Sequence, residues 1–342
     1  MKYSEDILDS LRFKQDELAD KVIQQYFPQK KALLQEQLQG LVNNTDELSS
    51  NADQSLVDLL TSMRKQIDQL DEGVLAEGQA FFDEFASDIM LLLGFMSLPY
   101  CYAAKNGAEV LVRSNRILEN PAQRLNDTAE FVFDVTHKNA FKPEGKALMS
   151  ILKVRLMHAA TRWYVSKDKT WDNKKFGAPV NQEDMAGTNL SFSLLTIRGL
   201  RKLGKLMTAE SAFGYINYWN KIGELLGLDP LLLPENNREA AVLERKIRQR
   251  QFGYSEAGKT LTMSLLKYYE FATINSPLEG KVKTFMNFLI GNYISNMIGL
   301  EINDFDRAVF KPYQLFLGFR NYFFNTQDSY AAAYTRFKET KL

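Results

Sequence analysis

An all-α fold class follows from three features of the sequence. Apolar residues recur at spacings of three and four along most of the chain. No stretch alternates apolar and polar residues convincingly enough to read as a strand. Helix-breaking punctuation at Pro28, Pro121, Gly227, Asp229-Pro230, Pro234, Ser276-Pro277 and Pro312 divides the chain into helix-sized pieces. There is no internal repeat and no low-complexity tract.

Residues 1–75 are polar and rich in Gln, Asp, Glu and Leu, and are expected to form an N-terminal arm of two or three amphipathic helices. Phe13, Leu18, Val22 and Tyr26 give its first helix-spaced stripe, which stops near Pro28. Leu33, Leu34, Leu38 and Leu41 continue the pattern, as do Leu56, Leu59, Leu60 and Met63. Asn43 to Asp46 and Ser49 to Asn51 interrupt it as loops.

Residues 76–342 are expected to form the main domain. Phe81, Phe82, Phe85, Ile89, Leu92 and Leu93 are apolar on more than one face, the mark of a deeply buried helix, here expected to end at Leu98-Pro99. A helix follows over about 107–118, and Pro121 suits the first turn of the next, over 122–135. Lys142-Pro143-Glu144-Gly145 leads into a helix that ends by Lys169. Asn181 suits a cap, with Glu183 and Asp184 in the first turn against the helix dipole. Further helices are expected at about 208–226, 235–252, 256–273, 279–299, 303–322 and 327–340.

Charge and composition limit the function classes. Among 342 residues, Lys plus Arg and Asp plus Glu number 42 each, so the basic footprint of a nucleic-acid binder is missing. The single cysteine, Cys101, supports neither an intramolecular disulfide nor a cysteine metal cluster. The segment Met1 to Asp6 has no apolar signal-peptide core, and the apolar runs 89–96 and 285–300 are too short to span a bilayer. A soluble, cytoplasmic protein without a transmembrane segment is expected.

One of only two histidines, His158, sits in the strongly helical stretch Lys153 to Arg162. Arg155, three residues before it, and Arg162, four after, project from nearly the same helix face. Two flanking cations disfavour protonation, and a neutral imidazole can ligate a metal while the arginines bind anionic groups beside it. Haem iron with its two propionates suits that arrangement. A core histidine hydrogen-bonded to a neighbouring helix satisfies the same spacing.

Gly253-Tyr254-Ser255-Glu256-Ala257-Gly258-Lys259-Thr260 fits the P-loop pattern, but a charged helical stretch precedes it where a buried strand is required. It reads as a turn and helix start with Ser255 near the cap. Neither histidine has a glutamate three residues before it, so the di-iron bundle pattern is missing, and two histidines make no zinc cluster. Asp134 stands three before His137 at an expected helix end, where a surface contact is the simpler reading.

The stretch Arg155-Leu156-Met157-His158-Ala159-Ala160-Thr161-Arg162, followed by Gly177-Ala178-Pro179-Val180-Asn181-Gln182-Glu183-Asp184-Met185-Ala186-Gly187-Thr188, closely resembles the latex clearing protein (rubber oxygenase) and mpaB-type oxygenase family. The resemblance extends over roughly residues 80–300. It implies a haem b protein with a globin-like helical core, with His158 as the proximal iron ligand and Arg124 and Thr128 as the distal arginine and threonine. Asp127 stands where the latex clearing proteins carry a lysine near the iron's free face. Their catalytic glutamate has no firm counterpart here, although Glu109 is near in sequence, and a secretion signal like theirs is not expected.

The activity implied is oxygen activation at haem on a small apolar substrate, an unsaturated lipid or terpenoid-like compound, with dioxygen or peroxide as oxidant. Arg124, Asp127 and Thr128 would line the distal side, and Asp127 could move a proton if burial raises its pKa. Arg155 and Arg162 are candidates for propionate contacts, helix-surface salt bridges being the alternative. Asn181, Gln182 and Asp184 are assigned to capping and to bracing the histidine helix. Two other classes fit the same residues: a haem-binding sensor or carrier without turnover, and a haem-free helical scaffold whose N-terminal arm binds a partner.

Overall fold

Short polar side chains fix where many of the helices begin. Ser4, Asp16, Asp53, Asp71, Asn120, Asn181, Thr208, Asn236 and Ser255 each accept a hydrogen bond from a backbone N–H in the first turn that follows. The computed structural model describes residues 2–27, 29–114, 120–302, 312–324 and 329–339. Within them no β-strand forms; an isolated bridge pairs Ala104 with Phe252.

The first helices are α1 (Glu5–Leu11), α2 (Glu17–Tyr26), α3 (Lys31–Gly40) and α4 (Gln54–Asp68). The stripe through Phe13 and Leu18 is revised: these two are exposed, and Ala19, Val22, Ile23 and Tyr26 form the buried face of α2. Asp16 caps α2, which leaves Phe13 in the connection before it. Pro28 lies outside the described residues. The buried side chains of α1 to α4 belong to the same hydrophobic cluster as those of the later helices.

The long buried helix α5 (Glu72–Leu92) does not stop at Leu98-Pro99 as expected. It runs through a π-helical turn, Leu93–Ser97, into α6 (Leu98–Tyr102), with Pro99 in the first turn of α6. A first-turn proline gives up an N–H that has little use there, so the chain bends without ending. The turn points Phe95 into an aromatic cluster, stacked on Tyr269 at 4.0 Å between ring centres. Then come α7 (Lys105–Arg113), α8 (Pro121–Thr136), α9 (Ala147–Val165), the short α10 (Asn173–Phe176), α11 (Gln182–Phe192) and α12 (Leu194–Lys202). Residues 115–118 of the helix expected over 107–118 lie outside the described residues.

The remaining helices follow the sequence pattern closely in α13 (Ala209–Leu225), α14 (Asn237–Gln251) and α15 (Glu256–Ala272). The helix expected over 279–299 is two, α16 (Val282–Ile290) and α17 (Asn292–Met297), because Gly291 adopts φ +80 between them. The last elements are α18 (Pro312–Phe323) and α19 (Tyr330–Glu339); the first part of the helix expected at 303–322 lies outside the described residues. The P-loop-like stretch is the joint between α14 and α15. Ser255 caps α15 through the N–H of Gly258, and a Cβ on Gly258 would lie 2.4 Å from the Tyr102 carbonyl oxygen.

Two helix packings are the most extensive, and one of them holds the histidine helix. α2 lies along α9, and α13 lies along α5. At the second contact a Cβ on Gly78 would fall 2.2 Å from Tyr218 Cγ, and Tyr218 is held in place by its hydroxyl donating to the Val135 carbonyl. Gly78→Ala is therefore expected to destabilise by about 1–3 kcal/mol through overpacking, read as a lower urea midpoint at unchanged slope.

Candidate active site

The histidine helix is anchored at its start by Asn44. Its side chain donates to the carbonyls of Ala140 (2.8 Å) and Lys142 (2.6 Å) and accepts from the N–H of Leu148 (2.9 Å). This ties the loop after α3 to the first turn of α9, where no side-chain cap is present. Two turns on, α9 presents Val154, Met157, His158 and Thr161 to a cavity of about 310 Å³, at the lower end of the range for small-molecule sites.

The His158 ring is enclosed by protein but keeps some accessible surface, because it borders this cavity. Burial, helped by the positive charges of Arg162 and Arg124, pushes its pKa down to about 3, so the imidazole is neutral near pH 7. Among the described residues its Nδ1, which is buried, has no hydrogen-bond partner. Buried ring nitrogens are ordinarily paired, so an orphan at a cavity wall is a feature to be explained.

The two arginines beside it differ. Arg155 is fully engaged: Nε and Nη2 donate to the two carboxylate oxygens of Asp16 at 2.6 and 3.0 Å, and Nη1 donates to the Leu225 carbonyl at 3.0 Å. Both side chains are buried. Gly227 sits against this pair, where a Cβ would lie 2.5 Å from Asp16 Oδ2, and its φ of +86 is one that L side chains rarely adopt. Arg162 donates through Nε to Asp20 at 2.6 Å, while its Nη1 and Nη2 are buried without partners. Of the two candidates, only Arg162 keeps donors in reserve, and neither arginine is a solvated surface residue.

Across the cavity, α8 contributes Arg124, Asp127 and Thr128. Arg124 Nη1 donates to the Thr128 hydroxyl, which itself donates to the Arg124 carbonyl at 2.9 Å, so one helical turn holds both side chains in register. Asp127 accepts from Gln123 Nε2 at 2.6 Å. Glu109 does not line the cavity and lies 3.7 Å from Arg113 in an ion pair along α7. Asp134 accepts from Ser150, and His137 Nδ1 accepts from the Asn139 N–H, so these two do not form a pair.

The Asn181-Gln182-Glu183-Asp184 block braces the cavity. Asn181 caps α11 by accepting from the Asp184 N–H at 3.0 Å, and Gln182 joins the Asp229 N–H (2.7 Å) to the Gly227 carbonyl (3.0 Å). Arg12 donates to both Glu183 and Asp184 at 3.1 Å, and Arg250 donates to Glu183 at 2.7 Å. Burial raises the carboxyl pKa of both acids, and the arginines oppose it. Asp184 also lines the cavity, as does Val180, a β-branched residue held at φ +48. Backbone hydrogen bonds on either side, Ala178 N–H to the Arg12 carbonyl and Gln182 N–H to the Lys14 carbonyl, hold that strained segment.

Arg12 and the far wall of the cavity were missed in the sequence. That wall carries Tyr100, Glu244, Arg248 and Phe252. No motif marks these residues, and Arg12 comes from a stretch that reads only as amphipathic helix.

Taken together, the fold and cavity define a class: an all-helical protein whose buried neutral histidine faces an arginine–threonine turn across a largely apolar ligand space. The family model "ER-bound oxygenase mpaB/B'/Rubber oxygenase, catalytic domain" matches residues 84–319. The chain belongs to that family of oxygenase catalytic domains. It is 23% identical over 224 residues to the rubber oxygenase of Streptomyces sp. (strain K30), a match covering 64% of this chain and 52% of that protein. The chain thus spans about half the length of this curated relative. Its fold is similar to that of latex clearing protein LCP solved in the closed state, with a TM-score of 0.77 at 20% identity over 96% of this chain and 89% of that one. No described helix is long and apolar enough to cross a membrane.

Proposed function

We propose that the protein is a haem b-dependent oxygenase acting on an apolar, unsaturated lipid or terpenoid-like substrate, with dioxygen or peroxide as oxidant. The observation that carries this reading is the set of buried donors and acceptors without partners on one face of α9: His158 Nδ1 and the two terminal nitrogens of Arg162. An uncharged imidazole with two guanidinium donors four residues on suits haem iron and a propionate, so the residues fit the group. Membership of an oxygenase family supports the same reading.

Bound haem iron would supply the activation of the oxidant. His158 holds a lone pair available because burial keeps the ring neutral, and it would ligate through one ring nitrogen. Arg162 would bind a propionate while Asp20 fixes its Nε. Arg124 and Thr128, locked together, would direct hydrogen bonds to the distal side, and Asp127 would accept or return a proton there. Val154, Met157, Phe131 and Ile247 would exclude water from an apolar chain. Arg155 is assigned to the fold.

The test is the visible absorption spectrum of protein expressed with haem precursor, followed by oxygen uptake with unsaturated apolar compounds. A strong Soret band with substrate-dependent uptake is the expected result. A colourless protein that haemin does not reconstitute overturns the proposal. Arg162→Lys, which can keep an ion pair with Asp20 but loses the two spare donors, is expected to weaken haemin binding about tenfold in a titration, the scale of one charge-assisted hydrogen bond.

A further inference from the structure

The far wall of the cavity carries a charge arrangement that haem ligation does not use. Glu244 on α14 is a buried carboxylate. Its Oε1 accepts from the Tyr100 hydroxyl and from Arg248 Nε at 3.0 Å, and its Oε2 accepts from Arg198 Nη1 at 2.6 Å. Burial pushes the Glu244 carboxyl up, but Tyr100 and the two arginines together hold it below its ordinary value. Burial and Glu244 raise the Tyr100 pKa, keeping that phenol protonated. Two guanidinium charges therefore face one carboxylate charge, leaving one positive charge uncompensated.

The spare donors are accessible. Among the described residues, Arg248 has only Nε engaged and Arg198 only Nη1, and both side chains are more than a third exposed or nearly so, at 34% and 39%. Arg248, Glu244 and Tyr100 line the same cavity as His158 and Arg124. Because Arg248 reaches both cavity and solvent, this wall is a mouth. The rest of the lining is mostly apolar, with Ile247, Met185 and Phe192 beside the polar Thr188, Asn189 and Gln251 and the arginine-paired Asp184. A guanidinium with free N–H groups beside an apolar tunnel matches a carboxylate at the end of a hydrocarbon chain.

The geometry points to an amphipathic substrate: an unsaturated apolar chain reaching toward Arg124 and Thr128, with a terminal carboxylate bound by Arg248 at the mouth, where Arg198, outside the cavity, pairs with Glu244 from behind. This deepens the proposed function and rests on it only in taking this cavity as the substrate's. A haem propionate offers the same carboxylate chemistry, so the two sources are separated in the test.

Oleate and oleyl alcohol would be titrated against the full-length protein, with and without haemin, in wild type, Arg248→Met and Arg248→Gln. The expected result is that oleate binds wild type and that each substitution weakens it about tenfold, while oleyl alcohol binding and haemin affinity stay within about twofold. Unchanged alcohol binding shows that the cavity has survived the substitution, and Arg248→Gln, a polar replacement at a partly exposed side chain, guards against misfolding of the other variant. Equal losses for acid and alcohol overturn the inference, as does no loss for either or no binding of oleate to wild type. Haemin affinity falling while oleate binding holds also overturns it, since Arg248 would then serve a propionate. A wild type that binds oleate selectively but takes up no haemin supports the inference and sinks the haem reading alone.

Discussion

His158→Ala is expected to abolish the Soret band of protein purified after expression with haem precursor and to reduce oxygen uptake to background. His158 would provide the protein's bond to the iron, and no second histidine is placed to substitute: His137 caps the end of α8 and packs on Tyr330 at 5.1 Å between ring centres. The alanine variant should still fold. It removes a ring whose Nδ1 is buried without a partner, so no satisfied hydrogen bond is lost with that atom. Added imidazole should restore part of the band by entering the vacated space, which a misfolded protein would not allow. A variant that retains the wild-type spectrum would remove His158 from the role of ligand.

The largest stability effect is expected at Asp16 and Arg155. The pair is bidentate and buried and joins α2 to α9, and the arginine also donates to the Leu225 carbonyl as a third partner. Removing one member alone, in Asp16→Ala or Arg155→Ala, leaves a buried charge uncompensated and is expected to cost about 3–5 kcal/mol, measured by urea unfolding. Replacing both, in Asp16→Leu with Arg155→Met, should recover much of the loss, because the desolvation of two charges disappears with them. The double variant also separates scaffold from site. If Arg155 serves only the fold, haemin affinity in the double variant stays close to wild type; a loss of affinity at recovered stability would return Arg155 to the cofactor.

Much of the fold was legible because helix formation is read locally. Caps such as Asn181 and Ser255, and the apolar spacing of α13, α14 and α15, act within a few residues of themselves. The errors came at element boundaries, where the local signal was misplaced by a few residues. Pro99 did not end its helix because a π-turn absorbed the change of register, and Phe13 proved exposed because the Asp16 cap starts α2 after it.

The sequence by itself determined the all-α class, the family resemblance and the helix faces that carry His158, Arg124 and Thr128, since spacing along a helix fixes direction. It left Arg155 and Arg162 equivalent, three and four residues from the same histidine. Only the tertiary structure separated them, by placing Asp16 and the Leu225 carbonyl around one and Asp20 on a single nitrogen of the other. It likewise brought Arg198, Glu244 and Tyr100 together from three helices. The physical reason is common to both cases. A side chain's charge and direction are local properties, whereas the donors it has left to spend depend on which distant groups the fold packs against it.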